Sequence, residues 1–158
     1  MKRFLYIIQT KHNNILGFGV CATPGKRLQD YVAHSACRQE FACLYYGDKT
    51  DIDALEKFIK NEWDHLRLDI NGKWKWEWID PEAGKTVTEL VALVDSKIVS
   101  HPMPSVGKLK QEFLPFKNYY SKTDIRKDVL DFNPAQFLEF QAWHCPSEGV
   151  EYHYESRN

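Results

Sequence analysis

The chain has 158 residues, of which 43% are apolar and 27% are charged, so it is long enough to bury one sizeable core. No apolar run approaches the roughly 20 residues of a membrane-spanning helix, and the strand-like start is too short and too β-branched for a signal peptide. The four cysteines lack paired CxxC spacing, which argues against a disulfide framework. We therefore expect a cytoplasmic protein with reduced thiols.

The formal net charge of −1 conceals a gradient along the chain. Residues 1–47 carry a surplus of four positive charges and residues 97–127 a surplus of five, whereas residues 128–158 are acidic. Two basic segments in a near-neutral protein indicate a polyanion-binding face if they meet in space. Either segment alone is more often solvated surface.

The chain opens with the pattern of a β-hairpin followed by a helix. Residues 4–8 and 15–21 are apolar and rich in β-branched and aromatic side chains, and the polar residues 11–14 between them predict a turn. Residues 22–32 then predict a helix with Thr23 as its N-cap.

A second strand-and-helix pattern follows. Residues 39–46 predict a third strand, and Asp51 is placed to cap a helix over residues 52–63 whose apolar side chains share one face. Glu56 lies at the edge of this apolar stripe, where it is directed towards the sheet. An alternative for Glu56 is an ordinary i,i+4 surface pair with Lys60.

The next segment is rich in tryptophan. Residues 73–78 alternate strictly between lysine or glutamate and tryptophan, which predicts a strand with three tryptophans on one face. Such a face is more often packed on a core than exposed as a platform for stacking bases. Residues 86–99 are apolar without a clear helical or strand period.

The proline-rich connector at residues 101–105 is the best boundary in the chain. It predicts a catalytic module over residues 1–100, which includes the tryptophan-rich strand, and an extension over residues 101–158. The extension begins basic and aromatic and becomes acidic, with helices expected at residues 124–132 and 135–144.

The order of short motifs in the first half resembles the GIY-YIG endonuclease superfamily. Phe4-Leu5-Tyr6 and Gly17-Phe18-Gly19 stand where the two signature strands would be, Arg27 follows on the next helix, and Glu56 lies on the helix after that. The resemblance covers roughly the first 65 to 80 residues, and its specificity lies in the ordered combination. Phe4 replaces the first glycine of the signature, and Gly17 replaces its second tyrosine, so the chain resembles a divergent member.

The resemblance implies an α/β (α+β) fold in which a small three-stranded mixed sheet is flanked by helices. Residues beyond this module would form a C-terminal β/α extension. That extension is expected to hold nucleic acid or a second copy of the chain in a homodimer.

The candidate residues suit phosphodiester hydrolysis. A carboxylate such as Glu56 can hold one Mg²⁺ or Mn²⁺ while leaving most coordination positions to water and phosphate. The guanidinium of Arg27 presents a fixed fork of donors to a phosphate. Tyr6, close to both, is a candidate general base. The alternative for Tyr6 is a strand tyrosine that packs beneath the helices.

Two further residues complete the predicted catalytic set. Tyr31 lies one helical turn from Arg27 and matches the position where the family places a histidine or tyrosine that touches the phosphate. His34 is the substitute for that role. Its other interpretation is a zinc ligand together with Cys37 and Cys43, but the spacing of these three residues is loose.

DNA is the predicted partner, and a membrane is excluded. The residues expected to contact its backbone come from both basic segments. They are Lys11, Lys26, Arg38, Lys108, Lys110 and Lys117.

The sequence thus predicts a divalent-metal-dependent DNA endonuclease of compact, phage-like or mobile-element type. A different class remains open, namely a catalytically degenerate module that binds DNA or a protein as an inhibitor or adaptor. A nuclease directed at RNA is a third alternative.

Overall fold

A computed structural model describes residues 1–10, 15–33, 39–70, 74–109, 143–145 and 150–151. Among these residues the chain forms an α+β fold in which one antiparallel sheet is flanked by three α-helices. No helix in this described part of the chain is both long enough and apolar enough to span a lipid bilayer.

The strands and helices are numbered in chain order. The strands are β1 (Lys2–Thr10), β2 (Leu16–Cys21), β3 (Gln39–Asp48), β4 (Arg67–Ile70), β5 (Trp74–Ile79), β6 (Gly107–Leu109), β7 (Trp143–Cys145) and β8 (Val150–Glu151). The helices are α1 (Pro24–Ala33), α2 (Lys49–Glu62) and α3 (Val87–Ser100). The expected hairpin, third strand and first two helices are confirmed.

The prediction of a three-stranded mixed sheet is wrong. The strand order is β4-β5-β2-β1-β3-β6-β7-β8, in which β1 to β6 form a six-stranded sheet and the short β7 and β8 continue one edge. Every described pairing is antiparallel. The chain passes from β2 through α1 to the far side of β1, so β3 runs in the same direction as β2 and opposite to β1.

Both faces of the sheet are covered at its centre. Residues 4–8 of β1 are all buried, which requires apolar neighbours on each side because successive side chains point to opposite faces. Leu5 and Ile7 belong to the core that α2 and α3 form on one face. Tyr6 lies on the opposite face, where its ring centroid is 5.6 Å from that of Phe41.

The apolar stripe of α2 packs into this core through Ile52, Leu55 and Ile59. The helix begins at Lys49, two residues before the expected cap, because Asp48 already takes the N-cap position with extended backbone. The run of undecided type at residues 86–99 is α3. Thr86 caps it by accepting a hydrogen bond of 3.2 Å from the backbone N–H of Glu89.

The proline-rich connector joins α3 to β6. Ser105 in this connector donates a hydrogen bond of 2.7 Å to Asp51 of α2, and β6 pairs with β3. The helices expected at residues 124–132 and 135–142 lie outside the described residues, whereas Trp143 and His144 belong to β7 rather than to a helix. The division into two domains therefore stays a prediction.

Candidate functional site

Tyr6 and Gly19 are direct partners across the central hairpin. The side chain of Tyr6 is buried, with 1% of its surface exposed. A Cβ atom at residue 19 would overlap the phenol oxygen of Tyr6 and lie 2.7 Å from its Cζ atom. Only the absence of a side chain at Gly19 therefore lets the tyrosine extend across β2.

The side chain of Glu77 reaches the same point from β5. Its Oε2 atom lies 2.8 Å from the position that a Cβ at Gly19 would take, so the phenol and this carboxylate flank one spot on β2. Glu77 lies within an irregular stretch of the β4–β5 pairing. Arg67 pairs with Ile79 but Asp69 pairs with Lys75, so β5 carries two more residues here than β4.

A lysine of α2 connects Glu77 to Glu56. The ammonium of Lys60 donates to Oε1 of Glu56 at 3.2 Å and to Oε1 of Glu77 at 3.4 Å. The surface pair considered for Glu56 therefore exists, but it is one half of a shared contact. We call the side chains of Tyr6, Glu56, Lys60 and Glu77 around Gly19 the β2–β5 cluster.

The second oxygen of Glu56 is the most unusual atom of the β2–β5 cluster. Oε2 is buried and has no hydrogen-bond partner among the described residues, although a buried carboxylate oxygen normally has one. The Glu56 side chain as a whole is 16% exposed, compared with 31% for Lys60 and 40% for Glu77. An acceptor of this kind is suited to a donor or a cation that enters from outside the protein.

Arg27 lies outside the β2–β5 cluster, on the face of the sheet that carries Tyr6 and Cys21, whereas Glu56 belongs to α2 on the other face. It is exposed near the start of α1, and its positive charge opposes the effect of burial on the thiol of Cys21. Burial raises the pKa of that thiol to about 12. Cys21 and Gly19 lie on the same face of β2, about 6 to 7 Å apart for two residues of a strand. No direct contact among Tyr6, Arg27 and Glu56 occurs in the described residues.

The structure describes less about the other two predicted catalytic residues, Tyr31 and His34. Tyr31 belongs to α1, one turn beyond Arg27, as its spacing predicts. His34 lies outside the described residues, so neither its catalytic role nor a zinc site with Cys37 and Cys43 is described. Cys21 and Cys43 are buried free thiols.

The predicted DNA contacts differ in their surroundings. Lys26 is exposed and makes no ion pair with another described residue. Lys108 is largely buried and donates a hydrogen bond of 2.8 Å to Asp95. The other four candidates lie outside the described residues, namely Lys11, Arg38, Lys110 and Lys117.

Asp95 is the centre of a second polar cluster, on the opposite side of the core. Besides Lys108, it accepts a hydrogen bond of 2.7 Å from the hydroxyl of Tyr45. Burial, with the nearby charges of Cys43 and Asp95, raises the pKa of Tyr45 well above its ordinary value. Burial also raises the pKa of the Cys43 thiol to about 12. This cluster is enclosed and holds β3, α3 and β6 together.

Sequence reasoning missed Glu77 and Lys60 as members of the candidate site. The alternating pattern of residues 73–78 placed Glu77 on the charged face of its strand. It gave no information about which residue of the adjacent strand Glu77 would lie against. Lys60 was considered only as a surface partner of Glu56.

No family model matches this chain, and neither a curated protein nor a solved structure is detectably similar to it. Among the described residues, no group of three or more His, Cys, Asp and Glu side chains is placed to hold a metal ion.

Proposed function

We propose that the chain is a divalent-metal-dependent DNA endonuclease whose N-terminal half is a divergent GIY-YIG-like module. The observation that carries the proposal is the β2–β5 cluster. Glu77 lies with Tyr6 at Gly19, and Lys60 links Glu77 to Glu56, so the cluster includes both Tyr6 and Glu56. These are the two residues that the resemblance selects for proton transfer and for metal binding.

Glu56 fits the role of a metal ligand. Its buried and unpartnered Oε2 is a vacant acceptor, and carboxylate oxygen is the ligand that Mg²⁺ and Mn²⁺ prefer. A single protein carboxylate suits Mg²⁺, which retains several waters and binds phosphate oxygens as well. When bound, the cation supplies positive charge to the phosphate and makes a coordinated water more acidic.

Two side chains are assigned the other roles in hydrolysis, namely phosphate binding and proton transfer. Arg27, exposed and on the same face of the sheet as Tyr6, donates to the non-bridging phosphate oxygens, where negative charge grows during hydrolysis. We assign to Tyr6 the role of general base towards the attacking water. The departing 3′ oxygen receives its proton from bulk water.

The test is nicking of supercoiled plasmid by the full-length protein in Mg²⁺ and in Mn²⁺. We expect Tyr6→Phe, Arg27→Ala and Glu56→Gln each to reduce the nicking rate by about 100-fold or more. Lys57→Ala is the matched control, because Lys57 is an exposed lysine of α2 outside the β2–β5 cluster. A wild-type protein that leaves the plasmid intact in both metals would overturn the proposal, and so would unchanged nicking by Glu56→Gln and Arg27→Ala.

A binding-only module is the second candidate, and a specific contact favours it. Gly17 stands where the signature has its second tyrosine, and a Cβ at this position would lie 2.7 Å from the ring of Trp78. The tryptophan therefore occupies the space that a tyrosine at residue 17 would need. Tight DNA binding by wild type with no cleavage in either metal would support this candidate.

A further inference from the structure

Lys60 is shared by two carboxylates that come from different elements of the fold. Its ammonium lies at nearly equal distances from Glu56 and Glu77, 3.2 and 3.4 Å. An i,i+4 pair on α2 alone would leave the ammonium free to neutralise the whole Glu56 carboxylate. Instead, Oε1 of Glu56 accepts the hydrogen bond from Lys60, and Oε2 has no hydrogen-bond partner in the described part of the chain.

We propose that Glu77 is a positioning residue for Glu56, which acts by holding the Lys60 ammonium towards β5. The inference rests on the proposed function, because it concerns the affinity of Glu56 for a divalent cation. Oε2 of Glu77 lies next to Gly19 and its Oε1 accepts from Lys60, so Lys60 is drawn towards β5.

Electrostatics predicts whether Lys60 and Glu77 each strengthen or weaken cation binding by Glu56. A lysine ammonium and a divalent cation repel one another, so Lys60 competes with the cation for Glu56. Glu77 limits this competition by drawing the ammonium away from Oε2. Removing Lys60 should therefore strengthen cation binding, and removing the charge of Glu77 should weaken it.

The experiment measures Mn²⁺ binding to the full-length protein by electron paramagnetic resonance of the free aqueous ion, without DNA. The relevant site is the one that Glu56→Gln abolishes. We expect Lys60→Met to tighten binding at this site by about tenfold and Glu77→Gln to weaken it by about tenfold. Lys60→Arg, which keeps the charge, should stay within about threefold of wild type.

A double variant separates positioning from direct ligation. If Glu77 acts through Lys60, Glu77→Gln should weaken Mn²⁺ binding by at most about threefold when Lys60 is already Met. If Glu77 is itself a ligand, its loss would weaken binding at least as much without Lys60 as with it, and the inference would be overturned. Lys57→Met is the control for loss of a lysine from α2, and thermal unfolding in EDTA checks that each variant is folded.

The inference and the proposed function fail in different ways. A wild-type protein that nicks plasmid and binds Mn²⁺ through Glu56, with affinities unchanged in the Lys60 and Glu77 variants, overturns the inference alone. A wild-type protein with neither nicking nor a Glu56-dependent Mn²⁺ site overturns the proposed nuclease, and the inference with it.

Discussion

Gly19 lies beneath the phenol of Tyr6, its pairing partner on the neighbouring strand, and a Cβ atom at residue 19 would overlap the phenol oxygen. The same Cβ would lie 2.8 Å from Glu77. Because Tyr6 is buried and cannot simply swing into solvent, we expect Gly19→Ala to lower the free energy of unfolding by about 1–3 kcal/mol.

Urea titration of Gly19→Ala in wild-type and Tyr6→Phe backgrounds tests this overlap. The cost should be smaller by about 1 kcal/mol in Tyr6→Phe, because the closest atom is then absent. Gly84→Ala is the contrasting variant. Gly84 has φ +66°, and a Cβ added there would meet no atom within 4 Å, so its cost of about 1 kcal/mol comes from backbone strain. An equal cost of Gly19→Ala in both backgrounds would contradict the overlap with the phenol oxygen.

The polar cluster formed by Asp95, Tyr45 and Lys108 should contribute to the stability of the fold. Asp95→Ala removes the acceptor of the buried Tyr45 hydroxyl and the partner of Lys108 together, so we expect a loss of about 2–4 kcal/mol in the free energy of unfolding. Tyr45→Phe should cost only about 1 kcal/mol, because it leaves the Lys108 pair in place. Urea denaturation of Asp95→Ala, Tyr45→Phe and the exposed control Glu89→Ala checks the ranking, and an Asp95→Ala cost no larger than that of Glu89→Ala would contradict it.

Sequence periodicity predicted the elements that have strong local signals. The stripe of Ile52, Leu55 and Ile59 is regular enough to predict α2. The predicted start was three residues late because Asp48 and Asp51 are both residue types that favour the N-cap. The run at residues 86–99 was ambiguous because its side chains are apolar almost all round. The capping box of Thr86 and Glu89 was the available signal for a helix.

The larger sheet depends on contacts that a sequence pattern does not contain. The strand β6 has three residues, too few for a period, and it is fixed by its pairing with β3. At the candidate site, Tyr6 and Glu56 were predicted from the order of motifs. Glu77 was not, because the alternating pattern of β5 does not specify that this side chain lies against Gly19, where a side chain is missing.

The buried thiols predict a loss of stability at alkaline pH. Burial raises the pKa of Cys21 and of Cys43 from 9.0 to about 12 in the folded protein. Between pH 9 and 12 the unfolded chain has released these protons while the folded chain still binds them, so the free energy of unfolding falls as pH rises. Below pH 9 both states hold the protons, and the two thiols contribute no pH dependence.

Urea titrations between pH 8 and 11 check this slope. The double variant Cys21→Ala and Cys43→Ala should be less stable than wild type at pH 8 but should lose stability less steeply above pH 9. The variant Ser96→Ala changes an exposed residue, keeps both buried thiols and serves as the control, with the slope of wild type. Parallel slopes for wild type and the Cys21 and Cys43 double variant would contradict the prediction.

The basic residues predict how DNA binding depends on salt. Lys26 and Arg27 are exposed on α1 and make no ion pair with another described residue, so each can contact a phosphate and release about one counterion. Lys108 is held by Asp95, so we expect it to release none. The slope of log binding constant against log salt should therefore become shallower by about one for Lys26→Ala and for Arg27→Ala, and stay unchanged for Lys108→Ala.

Fluorescence anisotropy with a labelled duplex from 50 to 200 mM salt measures the slope, with Lys85→Ala, a lysine paired to Glu89, as the control. Equal slopes for wild type, Lys26→Ala and Arg27→Ala would place the DNA on another surface of the protein.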